Sequence, residues 1–279
     1  MQWPDILAIM PAIERTDGLD GKLAGPTAIT AKPARLPRFF YRMPPRPCPY
    51  LKGRTEQNIF TELTGPDTAG LYDALTQSGF RRSHNVAYRP ACPGCRACVP
   101  VRVVAPSFVP GASLRRIARR NSDLTEQDLP ARATAEQYEL FLRYVTSRHG
   151  DGEMAGMDFQ EYAAMVQDSP LRTFITEFRD PRGRLRACAL VDRLEDGLSA
   201  VYSFFDPALD QRSLGTLTIV RLIAKSRRLG LPYLYLGYWI EGSPKMSYKW
   251  RFRPLEGLTS EGWRPLDLRP AEERDLFAA

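Results

Sequence analysis

The sequence predicts an α/β protein whose C-terminal half is a mixed sheet and whose N-terminal half is a smaller α+β domain carrying a cysteine-rich turn. Three observations lead there. Residues 171–207 read as three antiparallel strands, LRTFITEFRD, RLRACALVDRL and LSAVYSFFDP, joined by Pro-Arg-Gly and Glu-Asp-Gly turns. A helical stripe of Leu214, Leu217, Val220 and Ala224, capped by Ser213 and stopped by Gly230, then crosses over to the strand PYLYLGYWI. In residues 80–103, FRRSHNVAYRPACPGCRACVPVRV, two β-rich runs bracket a turn that gathers Cys92, Cys95 and Cys98.

Taken in order, residues 1–35 hold prolines and glycines without sustained periodicity and are expected to be a poorly ordered extension. Residues 36–49, LPRFFYRMPPRPCP, are expected to be extended, with the prolines leading Cys48 toward the turn. A short strand is expected over 57–63, then a helix in GPDTAGLYDALTQSGF with Leu71 and Leu75 on its stripe and Gly79 at its end. Phe80 to Tyr88 alternates as one strand, with Arg82, His84, Val86 and Tyr88 on one face. SLRRIARRNSD reads as a helix with Arg115, Arg116, Arg119 and Arg120 on a basic face, and Asp128 to Ala135 as a connection between halves. AEQYELFLRYVTSRHG and DFQEYAAMVQDS are amphipathic helices, His149 reads as a C-terminal capping group, and Cys188 as a core residue. The expected domains are therefore 36–130 and 131–256, with a tail over 257–279.

Composition bounds the function. The chain is 43% hydrophobic, enough for a full core, and no run approaches the roughly 18 apolar residues of a membrane span. Nothing at the N-terminus resembles an export signal, so the cytoplasm is the expected compartment. A net charge of +7, carried mostly by arginine, suits a polyanionic partner, and equally suits a merely solvated basic surface. Three thiols spaced two residues apart can reach a soft tetrahedral ion at about 2.3 Å, and Cys48 can supply a fourth donor. Zinc and an iron–sulfur cluster both fit, as do reduced thiols without metal; with five cysteines, an odd number, disulfides fit least. Two histidines give no Ser-His-Asp or Cys-His set, and neither a P-loop nor a Gly-x-Gly-x-x-Gly is present.

Two sets of residues resemble a known family. Gly79-Phe80-Arg81-Arg82-Ser83, Tyr88-Arg89-Pro90, the Cys95 and Cys98 pair and Pro100-Val101-Arg102 look like the N-terminal signature of the aminoacyl-tRNA-protein transferases. Residues 202–207 (YSFFDP), 212–215 (RSLG), 236–240 (LGYWI) and 244–249 (PKMSYK) resemble their C-terminal domain, which has an acetyltransferase-like (GNAT-like) fold. The likeness covers about residues 36–256. The Cys-Pro-Gly-Cys-Arg-Ala-Cys form is similar to the bacterial branch, which moves leucine from leucyl-tRNA onto an N-terminal Asp or Glu and so marks proteins for degradation. Arginyl transferases instead carry Cys-Gly-Tyr-Cys and adjacent paired cysteines, whereas Cys48-Pro49-Tyr50-Leu51 keeps only the first of these. Arginyl transfer and acyl-CoA-dependent N-acylation are the alternatives.

The resemblance implies chemistry that needs few catalytic side chains and no cofactor. The aminoacyl ester is already activated, the incoming α-amine is the nucleophile, and the enzyme orients the two, removes a proton and stabilises the oxyanion. Asp206 is the candidate for polarising the amine, and Tyr202, Tyr238 and Tyr248 for donating to the oxyanion or leaving oxygen. Arg212 with the amides of Ser213 to Gly215 is the candidate site for terminal tRNA phosphates, extended by Lys245 and Lys249. Arg81 or Arg82 beside Ser83 is expected to hold the acidic side chain of the acceptor, with Tyr88 in the same binding segment. Cys48, Cys92, Cys95 and Cys98 form the candidate metal set. The implied partners are leucyl-tRNA and proteins beginning with Asp or Glu, with neither membrane nor DNA.

Overall fold

Alternating apolar residues and tight turns build most of the strands in the computed structural model, which describes residues 38–149 and 153–266. The N-terminal extension expected over residues 1–35 lies outside these. In the N-terminal part, β1 (Tyr41–Arg42), β2 (Arg46–Pro47), β3 (Thr55–Glu56) and β4 (Asn58–Glu62) precede α1 (Thr68–Gln77), and then come β5 (Arg81–Ser83) and β6 (Val86–Pro90). They form a four-stranded sheet in the order β1-β4-β6-β5, with β2 and β3 as a separate pair.

The single strand expected over Phe80 to Tyr88 is a hairpin instead. His84 adopts φ 51°, a left-handed conformation that His tolerates better than a β-branched residue, and turns the chain there. Arg81 consequently faces Tyr88 and Arg82 faces Ala87, so the paired arginines point to opposite faces and Arg82 does not share one with Tyr88.

The larger sheet has eight strands in the order β14-β13-β7-β12-β11-β10-β9-β8. Its elements are β7 (Val99–Val104), α2 (Ala112–Arg120), β8 (Thr125–Pro130), α3 (Ala135–His149), α4 (Phe159–Gln167), β9 (Thr173–Arg179), β10 (Leu185–Arg193), β11 (Gly197–Phe205), α5 (Leu214–Arg228), β12 (Tyr233–Trp239), β13 (Leu255–Thr259) and β14 (Gly262–Pro265). β9, β10 and β11 are antiparallel neighbours, and α5 carries the chain over to β12, which runs parallel to β11. This is the mixed α/β arrangement expected for the C-terminal half.

Two expected boundaries are corrected. β7 lies between β12 and β13, and β8, whose residues 128–130 fall within the connection expected over Asp128 to Ala135, pairs with β9 at the sheet edge. The division at residue 130 therefore does not separate two cores, and the tail expected from residue 257 contributes most of β13 and all of β14. The physical reason is that β7 is a buried central strand: Val101 and Val103, 1% and 0% exposed, join the cluster under α2 and α5, and its two backbone edges are satisfied by β12 and β13, both distant in sequence.

The large sheet is covered on both faces. Ala187, Ala189 and Val191 of β10 join the cluster containing Leu217 and Leu222 of α5 and Leu114 and Ile117 of α2. Cys188 and Leu190 join Phe141 of α3 and Tyr162 of α4, whose start carries the reciprocal Asp158–Glu161 capping box. Fully burying each such large side chain stabilises the fold by about 1.5–3 kcal/mol. No helix among the described residues is long and apolar enough to cross a membrane.

Candidate active site

β11 and β12 pair only from Gly197 to Ser199 against Tyr233 to Tyr235, and Arg81 enters beyond the last pair. The β10–β11 register shifts at Leu190/Val191, leaving Val201 without a β10 partner, as a bulge does. Arg81 Nη2 donates to the carbonyls of Ala200 at 3.3 Å and Val201 at 3.0 Å. On the other side it lies against Gly237 of β12, at φ 73°, where a Cβ would fall 2.4 Å from Nη1. Glycine is therefore required twice over, by conformation and by the guanidinium. Among the described residues Arg81 forms no ion pair with a carboxylate.

Arg81 also lines a small cavity of about 30 Å³ with Tyr50, Tyr88, Tyr238 and Ile240, closed at its other end by the thiol turn. Glu56 borders it too, but pairs with Arg46 at 2.5 Å. Burial, reinforced by Tyr88, pushes the Tyr50 phenol up to about 12, so it stays protonated and able to donate at neutral pH. Tyr238 donates to the carbonyl of Gly79 at 2.9 Å, tying β12 to the N-terminal sheet. Lys249 is buried behind Tyr238, donating to the Tyr238 carbonyl with Met246 Sδ at 3.2 Å. Burial and the nearby Arg81 hold its amine well below the usual lysine range.

Cys48, Cys92, Cys95 and Cys98 all border this cavity. Burial and then the thiols of Cys92, Cys48 and Cys95 push Cys98 up to about 12, whereas the Ala97 amide, with Arg54 nearby, lowers Cys95, which is half-buried. The four sulfurs are thus near enough to repel one another as thiolates, a cost that a soft cation would relieve. As they stand, Cys92 accepts from the Gln57 amide at 3.3 Å and Cys95 from Arg54 at 3.4 Å, and no three Cys, His, Asp or Glu among the described residues are arranged as a ligand set. The donor chemistry fits a soft metal; the present geometry is that of separate thiols.

Several expected site residues lie elsewhere. Arg82 is buried in a two-bond ion pair with Asp192, at 2.7 and 2.8 Å, and also donates to the His84 carbonyl. Ser83 Oγ bonds the ring of its neighbour His84, at 3.1 Å. Asp206 caps the turn Pro207–Arg212 by accepting from the Ala208 amide, pairs with Arg186 at 2.6 Å and does not line the cavity of Arg81. Tyr202 packs against Phe141 and Phe204.

The expected phosphate track is likewise corrected. Arg212 is held by Asn121 at 2.8 Å and by Asp123, Ser213 is left-handed and makes no side-chain cap, and Gly215 is there because a Cβ would meet the Phe205 ring at 2.8 Å. Lys249 is buried, which excludes it from a phosphate contact, whereas Lys245 is exposed. Tyr248 is 40% exposed and edge-on to Phe252. Arg82, Tyr202, Asp206 and Lys245 therefore do not share the cavity; Arg81, Tyr88 and Tyr238 do. Tyr50 and the Val201 bulge were missed. Gly237, a glycine inside a strand, was the available signal that something approaches the backbone there.

Comparison with known proteins adds a separate line. The chain matches the regions described as arginine-tRNA-protein transferase, N terminus, over residues 46–116, and C terminus, over residues 136–259. It is 56% identical over 232 residues to the aspartate/glutamate leucyltransferase of Paramagnetospirillum magneticum, spanning 83% of this chain and 95% of that protein. To the protein of the same name in Gluconacetobacter diazotrophicus it is 54% identical over 242 residues, spanning 86% and 93%. Among solved structures it is similar to L-PGS from Bacillus licheniformis, at 12% identity and a TM-score of 0.47 over 65% of this chain and 64% of that one. FemX matches at 8% identity and a TM-score of 0.42 over 75% and 81%.

Proposed function

The chain belongs to the arginine-tRNA-protein transferase family, and we propose that it transfers leucine from leucyl-tRNA to the α-amine of proteins beginning with Asp or Glu. The observation that carries the acceptor half is Arg81. A guanidinium fixed by two backbone carbonyls, beside a cavity and without a carboxylate partner among the described residues, is a cation pre-placed for an acidic side chain. Arg82, the alternative, already has Asp192.

On this reading the acidic side chain docks on Arg81 and sets the α-amine against the carbonyl carbon of the leucyl ester. The C–N bond forms as the amine attacks, the tetrahedral intermediate expels the ribose oxygen, and the proton given up by the amine ends on that oxygen as the free tRNA hydroxyl, leaving a new peptide bond. Tyr50, protonated at neutral pH and lining the same cavity, is the donor we assign to the developing oxyanion. Leucine then stands at the N-terminus and marks the product for degradation. The reaction needs aminoacyl-tRNA and so belongs in the cytoplasm.

A soft metal, zinc or an iron–sulfur group, would be held by Cys48, Cys92, Cys95 and Cys98 and would brace the turn between β6 and β7. No step passes through it. Elemental analysis of protein purified without oxygen should find the metal in the wild type and lose it in Cys95→Ser; protein without zinc or iron would leave the thiols as separate groups.

The activity is tested by mixing the protein with leucyl-tRNA or arginyl-tRNA and peptides beginning with Asp, Glu or Ala. Leucine on the acidic peptides alone is the expected result. Arginine on them would select the arginyl reading, and no label on them would end the proposal. Transfer from an acyl-CoA is disfavoured by the helix start at Ser213, whose preceding arginine is already tied to Asn121 and Asp123.

A further inference from the structure

The basic helix α2, ASLRRIARR, lies outside the cavity of Arg81. At about 100° per residue, Arg115, Arg116, Arg119 and Arg120 fall within roughly 140° of one another, with Leu114 and Ile117 on the opposite side. Burial agrees: the four arginines are exposed, whereas Leu114 and Ile117 join the core under α5. The helix contains no acid, and Arg115 with Arg119, like Arg116 with Arg120, sets like charges four residues apart, which opposes helix formation. Among the described residues none of the four pairs with a carboxylate; Arg115 donates to the Pro110 carbonyl at 2.7 Å and Arg120 to that of Gln211. Asp123 and Asp210, the acids beside the end of the helix, are taken by Arg212 and Arg148. Both ends of this face adjoin elements that hold the cavity. Ser113, Arg116 and Arg120 form one row, and Arg251 donates to Ser113 Oγ at 3.0 Å. Arg251 ends the single-turn helix Ser247–Arg251, in which Lys249 bonds the carbonyl of the cavity residue Tyr238. Gln211, at the other end, belongs to the turn that follows β11, whose carbonyls hold Arg81.

We propose that the arginine face of α2 clamps the backbone of duplex RNA, holding the base-paired stem of the aminoacyl-tRNA so that its unpaired 3′ end reaches the cavity of Arg81. The composition of that face selects the occupant. Guanidinium forks match phosphate oxygens, and bonds to phosphates position a nucleic acid without reading its bases. An unpaired strand is held by aromatic rings on which its bases stack, and α2 has none, whereas duplex RNA is gripped through its backbone. A lipid surface or a protein partner would need apolar side chains to bury, and those of α2, Leu114 and Ile117, are only 4% and 7% exposed. Identifying the duplex as the stem of leucyl-tRNA rests on the proposed function; the affinity for duplex RNA rests on α2 alone.

The experiment compares the wild type, the double variant Arg116→Gln with Arg120→Gln, and a control that removes two exposed arginines elsewhere, Arg172→Gln with Arg182→Gln. Binding of a labelled RNA hairpin ending in CCA, and of an unpaired oligonucleotide of the same length, is read by fluorescence anisotropy across salt; KM is measured for leucyl-tRNA and for an Asp-starting peptide. In the α2 variant the hairpin should bind roughly tenfold or more weakly at about 0.1 M salt, with the slope of log affinity against log salt reduced by about 1.8, as for two lost duplex phosphate contacts. KM for leucyl-tRNA should rise with it, while KM for peptide and the control variant stay unchanged. A matching thermal melt identifies folded protein, and Arg115→Gln with Arg119→Gln is a second pair with the same expectation. Unchanged hairpin binding in both α2 pairs overturns the clamp. So does an equal loss in the control, which would leave net charge alone, or an equal loss for the unpaired strand. Lost binding to phosphatidylglycerol vesicles with the hairpin unaffected would assign the helix to lipid instead. A wild type that binds the hairpin without transferring leucine overturns the activity and leaves the clamp standing.

Discussion

The two faces of β5 carry the same residue type and opposite outcomes. On one face Arg82 is buried and its charge is met by Asp192, which Thr173 also bonds at 2.6 Å. On the other, one residue earlier, Arg81 donates to the carbonyl oxygens of Ala200 and Val201, has no carboxylate partner among the described residues, and borders a cavity. Adjacent arginines in a strand must point opposite ways, so position along the pleat decides which is structural and which is available to a ligand. A buried charge already paired holds a fold together; a buried charge paired only with dipoles invites a counter-ion.

Substitutions can break that contrast. Arg82→Ala strands the Asp192 carboxylate in the core, and a loss of about 3–5 kcal/mol in unfolding free energy is expected by urea denaturation. A loss below about 1 kcal/mol would show that the pair is not the structural face of β5.

Lys249, bonded to the Tyr238 carbonyl, offers a third buried cation to compare. Its folded-state amine is held neutral to lower pH than in the unfolded chain, where it protonates below about 10.4. Between those two values the unfolded state binds the extra proton, so stability falls as pH falls through that window and levels off beneath it. Lys249→Met should abolish that slope, which reaches at most about 1.4 kcal/mol per pH unit, in denaturation midpoints taken across pH 7 to about 10.5. An identical slope in the variant would place the titration elsewhere.

Gly237→Ala sharpens the comparison from the opposite wall. The added methyl meets the Arg81 guanidinium and the left-handed backbone resists a side chain, so a cost of about 1–2 kcal/mol is expected by thermal unfolding. Selectivity for acidic peptides should weaken with it, because the guanidinium is displaced.

Much of the fold was legible in the sequence because it is local. β9 to β12 and α5 follow from alternation, turn residues and a helical stripe, and Cys188 is the core residue expected. What was illegible depends on partners far along the chain. Nothing in VPVRVV announces that β7 lies between β12 and β13, and nothing near Asp206 or Arg212 announces Arg186, Asn121 and Asp123. The face of each arginine could not be read either, because a left-handed His84 converts one strand into a hairpin. Gly237 was readable as a close approach, though not as the seat of Arg81.

The most direct test is the ratio of kcat/KM for leucylation of two peptides that differ only in starting with Asp or Asn, in the wild type and in Arg81→Met. The wild type should favour Asp, and the variant should lose roughly 10- to 100-fold of that preference, the size of one charge-assisted bond. A ratio that stays the same in Arg81→Met would contradict the account.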